Sequence, residues 1–174
     1  RSLSRDNLNP IHRYPASIST GNKVDLLHRA DAAAREYSSK ISEVMVNYWD
    51  NDQEIAVATS EGNFVRDRRT RTRLAVRAIG QDGDKKEAGM NGPGKSLGFE
   101  FFDTYTPESI AQDAARIACV LLEADYAPQG KMPVIIDNAF GGVIFHEACG
   151  HALETAAVAD NASVKKKKMG EQIA

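Results

Sequence analysis

The sequence predicts an α+β fold, an antiparallel sheet meander with packed helices, in which a motif helix follows a short strand. Three patterns lead to this prediction. Apolar residues recur at helical spacing after residue 22 and again after residue 106, and they alternate with polar residues between 44 and 79. Short turn-like segments separate the alternating runs, which favours antiparallel strands with one face exposed to solvent.

The first helix is expected to follow a polar arm, residues 1–20, which carries two prolines. Asn22 is a plausible N-cap because its side chain can accept a hydrogen bond from the first helical turn. The apolar residues then recur every three or four positions, at Val24, Leu27, Ala30, Ala34 and Tyr37.

Four strands are predicted after this helix, at 44–49, 54–59, 64–67 and 70–79. Asp50-Asn51-Asp52 and Glu61-Gly62-Asn63 have the composition of turns and would connect the first three strands. In the last strand, Leu74, Val76 and Ala78 lie on one face. The sheet and the first helix would form an N-terminal α+β domain, residues 21–98, which ends in a glycine-rich loop at 80–98.

Residues 99–174 are expected to form a helix–strand–helix segment. Thr106-Pro107 begins the first of these helices, because threonine caps helices well and proline fits the first turn. Pro128 would end that helix, and the apolar run at 133–137 would form a short strand. A glycine-bearing turn at 138–142 leads into the motif helix, roughly residues 141–159.

Composition excludes several classes of protein. A charged fraction of 26% and a hydrophobic fraction of 42% are typical of a folded domain. The net charge of −2 gives the whole chain no bias toward nucleic acid, and no apolar run approaches the ~20 residues that span a bilayer. Two cysteines, Cys119 and Cys149, fit a reducing compartment. Because the chain starts at Arg1 and ends inside a helix-like segment, we expect a piece of a longer protein.

The motif His146-Glu147-Ala148-Cys149-Gly150-His151 is the strongest functional signal. Two imidazoles with a carboxylate beside them are a minimal set for binding zinc and activating water. Residues five apart on a regular α-helix point about 140° away from each other, so the two histidines need a widened turn. We therefore predict a π-bulge at this motif, and Gly150 would tolerate the distortion. Glu154 lies where it could accept a hydrogen bond from an imidazole.

Other interpretations remain open at this point. A helix with two ordinary histidines would show the same motif. Six arginines between residues 66 and 77 could contact phosphates, but Arg71, Arg73 and Arg77 alternate with apolar residues, as a solvent-exposed strand face would.

The residues Gly141 to Glu154, which surround the motif, resemble the signature of the TldD/PmbA family of zinc metalloproteases, on the TldD side. Similar segments lie at 26–34, 60–62 with 67–69, and 162–164 with 169–171, so the resemblance covers roughly residues 20–174. It implies a cytoplasmic metallopeptidase that cleaves unfolded or flexible peptides. The active form would be a homodimer or a heterodimer of TldD-like and TldE-like subunits.

The resemblance also implies roles for single residues. His146 and His151 would bind zinc together with a cysteine from a C-terminal domain, and Glu147 would be the catalytic acid/base. We expect the chain to stop before that domain, and Cys149 and Cys119 to be packing residues rather than substitutes for the missing ligand. The run Lys165 to Lys168 departs from the family pattern.

Two functional hypotheses follow. The first is a zinc-dependent endopeptidase, incomplete in this chain, whose substrate binds in extended form as an added strand on a sheet edge. The second is a non-catalytic module that serves assembly and substrate binding.

Overall fold

The computed structural model describes residues 10–137, 141–166, 168 and 170–172. The chain divides into two compact units, Arg1–Tyr126 and Ala127–Ala174. The elements of the first unit are α1 (Thr20–Tyr37), β1 (Ile41–Ala58), β2 (Phe64–Asp82), β3 (Lys85–Asn91), β4 (Gly94–Lys95), α2 (Phe101–Thr104) and α3 (Pro107–Glu123). Within the described residues, no helix is both long enough and apolar enough to cross a membrane.

The sheet of the first unit is antiparallel and is built around one long hairpin. β1 pairs with β2 from Ile41 opposite Gly80 to Ala58 opposite Phe64. β3 pairs with the end of β2, and β4 pairs with its middle. The predicted turn at Glu61-Gly62-Asn63 is confirmed, since Gly62 has a φ of +84° and the two strands end on either side of it. The predicted α+β class with an antiparallel sheet is confirmed as well.

The turn predicted at Asp50-Asn51-Asp52 is wrong, because these residues continue β1. Aspartates favour turns when their carboxylates are left to bond the local backbone. Here both carboxylates have other partners. Lys23 binds Asp50 at 2.5 Å, and Arg68 donates to Asp52 at 2.6 and 2.8 Å. The first two predicted strands are therefore one strand, and so are the last two.

The core lies between one face of the sheet and two helices, α1 and α3. Leu74, Val76 and Ala78 of β2 are fully buried there, as predicted. The helices contribute small residues that let them approach the sheet closely, namely Ala30, Ala33 and Ala34 of α1 and Ala111, Ala114, Ala115 and Ala118 of α3. The arginines at 71, 73 and 77 lie on the opposite, exposed face, which confirms the alternation read from the sequence.

The N-caps of the two long helices are a serine and a threonine. α1 begins three residues earlier than predicted, because the Ser19 side chain, and not that of Asn22, is the cap. Ser19 Oγ accepts a hydrogen bond from the Asn22 backbone N–H at 3.2 Å. The cap predicted for α3 is confirmed, since Thr106 Oγ1 accepts from the Ser109 N–H at 3.2 Å. α3 ends at Glu123, ahead of Pro128.

The segment 80–98 is not the loop that its glycines suggested, because β3 and β4 lie within it. One of these glycines lets β3 touch α3. A Cβ on Gly89 would lie 2.1 Å from the Ala114 carbonyl oxygen and 2.4 Å from the Ala118 nitrogen. A glycine in this segment can therefore indicate that a strand packs closely on a helix, and not only that the chain turns.

The predicted polar arm is attached to the first unit over residues 10–19; residues 1–9 lie outside the described part of the chain. Pro15 is buried and begins a short 3₁₀ turn, Pro15–Ser17. The Arg13 carbonyl accepts from the Phe99 N–H at 2.7 Å, and the Arg13 N–H donates to Glu100 at 2.9 Å. These contacts hold the segment against the start of α2.

In the second unit, the strand predicted at 133–137 is not formed. A strand needs a neighbour for its backbone groups, and among the described residues no strand pairs with this run. Pro133 also lacks the N–H that a ladder requires. The Ile135 side chain is 100% exposed. The expected turn at 138–142 lies partly outside the described residues, since 138–140 are not among them.

Candidate metal centre

The motif helix consists of several short pieces rather than one regular helix. It contains α4 (Gly142–Phe145), a π-helical turn at His146–Gly150, a 3₁₀ turn at His151–Leu153 and α5 (Thr155–Ala159). The backbone N–H of His151 donates to the carbonyl of His146, which is the five-residue bond of a π-turn. The predicted widening between the two histidines is therefore confirmed.

The π-turn does not depend on an unusual backbone at Gly150. Its φ of −59° and ψ of −57° are ordinary right-handed helical values that any residue adopts. A Cβ at this position would lie 3.6 Å from His146 Nδ1, which is normal van der Waals contact. The explanation from backbone tolerance is therefore not needed.

The π-turn places the two imidazoles next to each other. Their ring centroids are 4.4 Å apart and the ring planes are inclined by 70°. His146, Glu147 and His151 each offer one ligand atom, and these three atoms lie within 4.8 Å of one another. In the described part of the chain this is the one group of histidine, cysteine and acidic side chains with such convergence.

Two carboxylates contact His151 from different sides. Glu154 Oε1 lies 2.6 Å from Nδ1, and Glu147 Oε2 lies 3.5 Å from Nε2. An ionised carboxylate only accepts hydrogen bonds, so the bond to Glu154 places a proton on Nδ1. The lone pair of the neutral ring then belongs to Nε2, the nitrogen on the side of Glu147.

The donor set fits a zinc ion. Neutral imidazole and carboxylate are both zinc ligands, with bonds of about 2.0–2.2 Å. Two such ligands of a tetrahedral ion are about 3.4 Å apart, so small side-chain rotations would bring the present groups together. All three side chains are exposed, which leaves room for such rotations and for a substrate.

The two cysteines differ in their surroundings. Cys119 is partly buried and packs against the core of the first unit, as predicted. Cys149 was expected to be buried, and this is wrong, because its thiol is exposed. Cys149 is not part of the group of converging ligand atoms.

Sequence reasoning gave no structural role to Ser163. Its Oγ donates to the Ala152 carbonyl at 2.6 Å and accepts from the Lys165 N–H at 3.1 Å. These bonds attach the segment after α5 to the 3₁₀ turn that carries His151. The available signal was that Ser163 belongs to the segment 162–164, which resembles the family. Of the lysine run that begins at Lys165, position 167 lies outside the described residues.

Comparison with known proteins gives two matches to family models. Residues 13–122 match the PmbA/TldA metallopeptidase central domain, and residues 129–174 match the PmbA/TldA metallopeptidase C-terminal domain. The histidine motif thus falls in the part that matches the C-terminal domain, a domain that we had expected to lie beyond this chain.

Curated relatives from bacteria and archaea are similar over nearly the whole chain. A metalloprotease TldD homolog of Haemophilus influenzae is 32% identical over 95% of this chain and 36% of its own length. A metalloprotease of Methanothermobacter thermautotrophicus is 30% identical over 93% of this chain and 35% of its own. The chain therefore spans about a third of the length of these relatives.

A solved structure has the same fold. A Thermotoga maritima protein, described as a candidate modulator of a DNA gyrase, superimposes with a TM-score of 0.80. The superposition covers 98% of this chain and 38% of that one, at 23% sequence identity.

Proposed function

Because the chain belongs to the PmbA/TldD metallopeptidase family, we propose that it carries part of the active site of a zinc-dependent endopeptidase. Its substrates would be unfolded or flexible peptides. The observation that carries the proposal is the π-turn, which brings His146, Glu147 and His151 within reach of one ion.

The histidines are proposed to hold the zinc. Glu154 would hold the His151 ring by accepting a hydrogen bond from Nδ1, which would leave the Nε2 lone pair for the ion. When bound, zinc supplies a Lewis acid that polarises a peptide carbonyl and makes a coordinated water more acidic. A third protein ligand, a cysteine outside residues 1–174, completes the set that the family resemblance implies.

Glu147 is proposed to be the acid/base. Its carboxylate is exposed and lies beside the ligand nitrogen of His151, at 3.5 Å. A carboxylate in this place can take a proton from the attacking water and pass it to the leaving amine. Because this role needs proton transfer and not charge alone, Glu147→Gln should keep the ion and lose cleavage.

The direct test measures zinc content and peptide cleavage on the full gene product and on three variants. His146→Ala and His151→Ala should lose zinc and activity together. Glu147→Ala should keep zinc and lose cleavage of an unfolded peptide by about 10²–10⁴-fold. Glu171→Ala, in the same unit but outside the group of ligand atoms, is the matched control and should change neither.

A full gene product without zinc would refute the enzyme proposal and favour the non-catalytic assembly or substrate-binding module. For residues 1–174 alone we expect weak zinc binding and little cleavage, since two imidazoles bind zinc far less tightly than three ligands. Equal zinc affinity of residues 1–174 and the full product would contradict a third ligand outside this chain.

Substrate binding, assembly and location are proposed from the same family membership. An extended peptide could add to the outer edge of β1, which among the described residues pairs with β2 alone. The assembly would be a homodimer or a heterodimer with a TldE-like subunit, in the cytoplasm. Mass measurement in solution, with and without a TldE-like protein, distinguishes the two assemblies.

A further inference from the structure

The face of the sheet that points away from α1 and α3 has an unusual composition. Side chains opposite each other in an antiparallel pair share a face, so the strand register assigns this surface. Arg77 lies between Met45 of β1 and Met90 of β3, and Arg73 lies beside Trp49. We define the arginine face by six of its side chains: Trp49, Arg69, Arg71, Arg73, Arg77 and Met90.

The arginine face is positively charged because most of the acidic residues of β1 lie elsewhere. Asp50 and Asp52 are on the other side of the strand, where Lys23 and Arg68 bind them. The acidic residues of the face itself, Glu43 and Asp67, lie at its two ends by the strand register. Asp67 is paired with Arg69 at 3.0 Å.

Three arginines of the face are available to a partner. In the described part of the chain, Arg71, Arg73 and Arg77 are exposed and form no ion pair. Arg73 is held in place by a hydrogen bond to the Gly92 carbonyl at 3.1 Å and by the Trp49 ring, 5.6 Å from its guanidinium carbon. Guanidinium groups bind carboxylates with two parallel hydrogen bonds, which gives both strength and direction.

Apolar side chains lie among these charges. Trp49 is 52% exposed and Met90 is 63% exposed. Arginine, tryptophan and methionine are the residues that protein interfaces favour, whereas a merely solvated strand face would carry small polar residues or lysine. Two copies of this cationic face would repel each other, so self-association through it is disfavoured.

We propose that the arginine face binds an acidic segment of a partner polypeptide. Alternate residues of a strand are about 7 Å apart, which is the spacing of alternate acidic side chains in an extended segment. Single-stranded nucleic acid fits less well. Its binding sites offer several aromatic rings for base stacking, whereas Trp49 is the single tryptophan here and already contacts Arg73.

Trp49 also makes the test direct, because the emission of the chain's one tryptophan reports on this face. The protein is titrated with a peptide that alternates glutamate and alanine, at low and at high salt. We expect a change in Trp49 fluorescence whose apparent affinity falls as salt rises. Arg71→Glu should weaken binding at least about tenfold, since an attraction becomes a repulsion.

Arg66→Glu is the matched control. Arg66 is exposed and lies on the same strand, but its register with Ala56 places it on the other face. The apparent affinity of Arg66→Glu for the glutamate–alanine peptide should stay within about twofold of that of wild type, because only the long-range charge changes. Equal losses in Arg66→Glu and Arg71→Glu would overturn the proposal. If Arg71→Glu unfolds at a lower temperature than wild type, Arg71→Gln replaces it, with an expected loss of about threefold.

Two further results would also overturn the proposal. One is tighter binding of an oligothymidylate of equal charge, which would assign the face to nucleic acid. The other is an unchanged Trp49 spectrum at saturating peptide and low salt. A peptide that alternates lysine and alanine should give no response.

Discussion

In the proposed zinc site, Glu154 would determine which nitrogen of His151 is free to bind the ion, so its substitution tests the site without removing a proposed ligand. Glutamine in its place keeps the size but removes the negative charge that accepts from Nδ1 at 2.6 Å. Carboxylates that orient ligand histidines typically contribute 10- to 100-fold in metal affinity, so we expect Glu154→Gln to weaken zinc binding by about that factor. Competition with a chelator of known affinity measures it.

The control for this substitution is Glu171→Gln, which removes the same charge from the same unit. Its zinc affinity should equal that of wild type. A similar loss in both variants would mean that net charge, and not the bond to His151, sets the affinity.

Asp52 lies within β1, and its carboxylate is bound by side chains of the neighbouring strand. Its side chain is 14% exposed, and it accepts hydrogen bonds from Arg68 and from Thr70. The bond from Arg68 is the main reason that the pKa of Asp52 lies below the ordinary 3.8. A carboxyl whose folded-state pKa is lower than its unfolded-state pKa stabilises the fold above the unfolded value, and the effect is lost as the pH falls through the folded value.

Asp52→Asn should therefore unfold at a lower temperature than wild type near neutral pH. The difference should shrink as the pH falls below about 4, because wild type then loses the same interaction. Thermal unfolding followed by circular dichroism over this pH range measures it. Asp84→Asn, in the turn between β2 and β3, should follow wild type throughout, and a pH-independent deficit in Asp52→Asn would contradict the role of the charge.

Between elements, the contact of β3 with α3 depends on the missing side chain of Gly89. A methyl group there would meet backbone atoms of Ala114 and Ala118, which cannot move without shifting the helix. We expect Gly89→Ala to lower the free energy of unfolding by about 1–3 kcal/mol or more, the usual cost of overpacking. Urea unfolding of the variant and of wild type checks it.

The same substitution in α1 provides the control. A Cβ on Gly21 meets only Ser19 Oγ, at 3.9 Å. Since alanine favours helix over glycine by about 1 kcal/mol, Gly21→Ala should be neutral or stabilising. If Gly21→Ala and Gly89→Ala lower the free energy of unfolding equally, close packing does not explain why position 89 is a glycine.

Elements whose signal is local were predictable from the sequence, and those that depend on distant partners were not. α3 has a threonine cap, a proline and a regular apolar face, and these sufficed to place its start. The π-turn followed from the helical geometry of two histidines, five residues apart, that were predicted to share an ion. By contrast, the continuity of β1 through Asp50 and Asp52 depends on Lys23 and Arg68, which are distant in sequence.

At the scale of the whole molecule, no pattern in the sequence predicted the division into two compact units at Tyr126/Ala127. The glycines at 80–98 suggested a seam, but strand pairing and contact with α3 use them inside the first unit. The segment after α3 has fewer glycines, and its residues 124–137 are nonetheless outside regular elements and exposed. A glycine-rich composition therefore does not by itself mark a boundary between compact units.

This division predicts where a protease cuts first. Lys131 lies in the exposed stretch 124–137 that follows α3, whereas Arg66 and Lys86 lie in strands whose backbone hydrogen bonds must break before cleavage. Limited trypsin treatment should therefore cut after Lys131 well before it cuts the hairpin, which mass spectrometry of the early products measures. The larger product contains all the core residues that are buried in the described part of the chain, so it should keep a cooperative unfolding transition. Early cuts at Arg66 or Lys86 would contradict this order of stability.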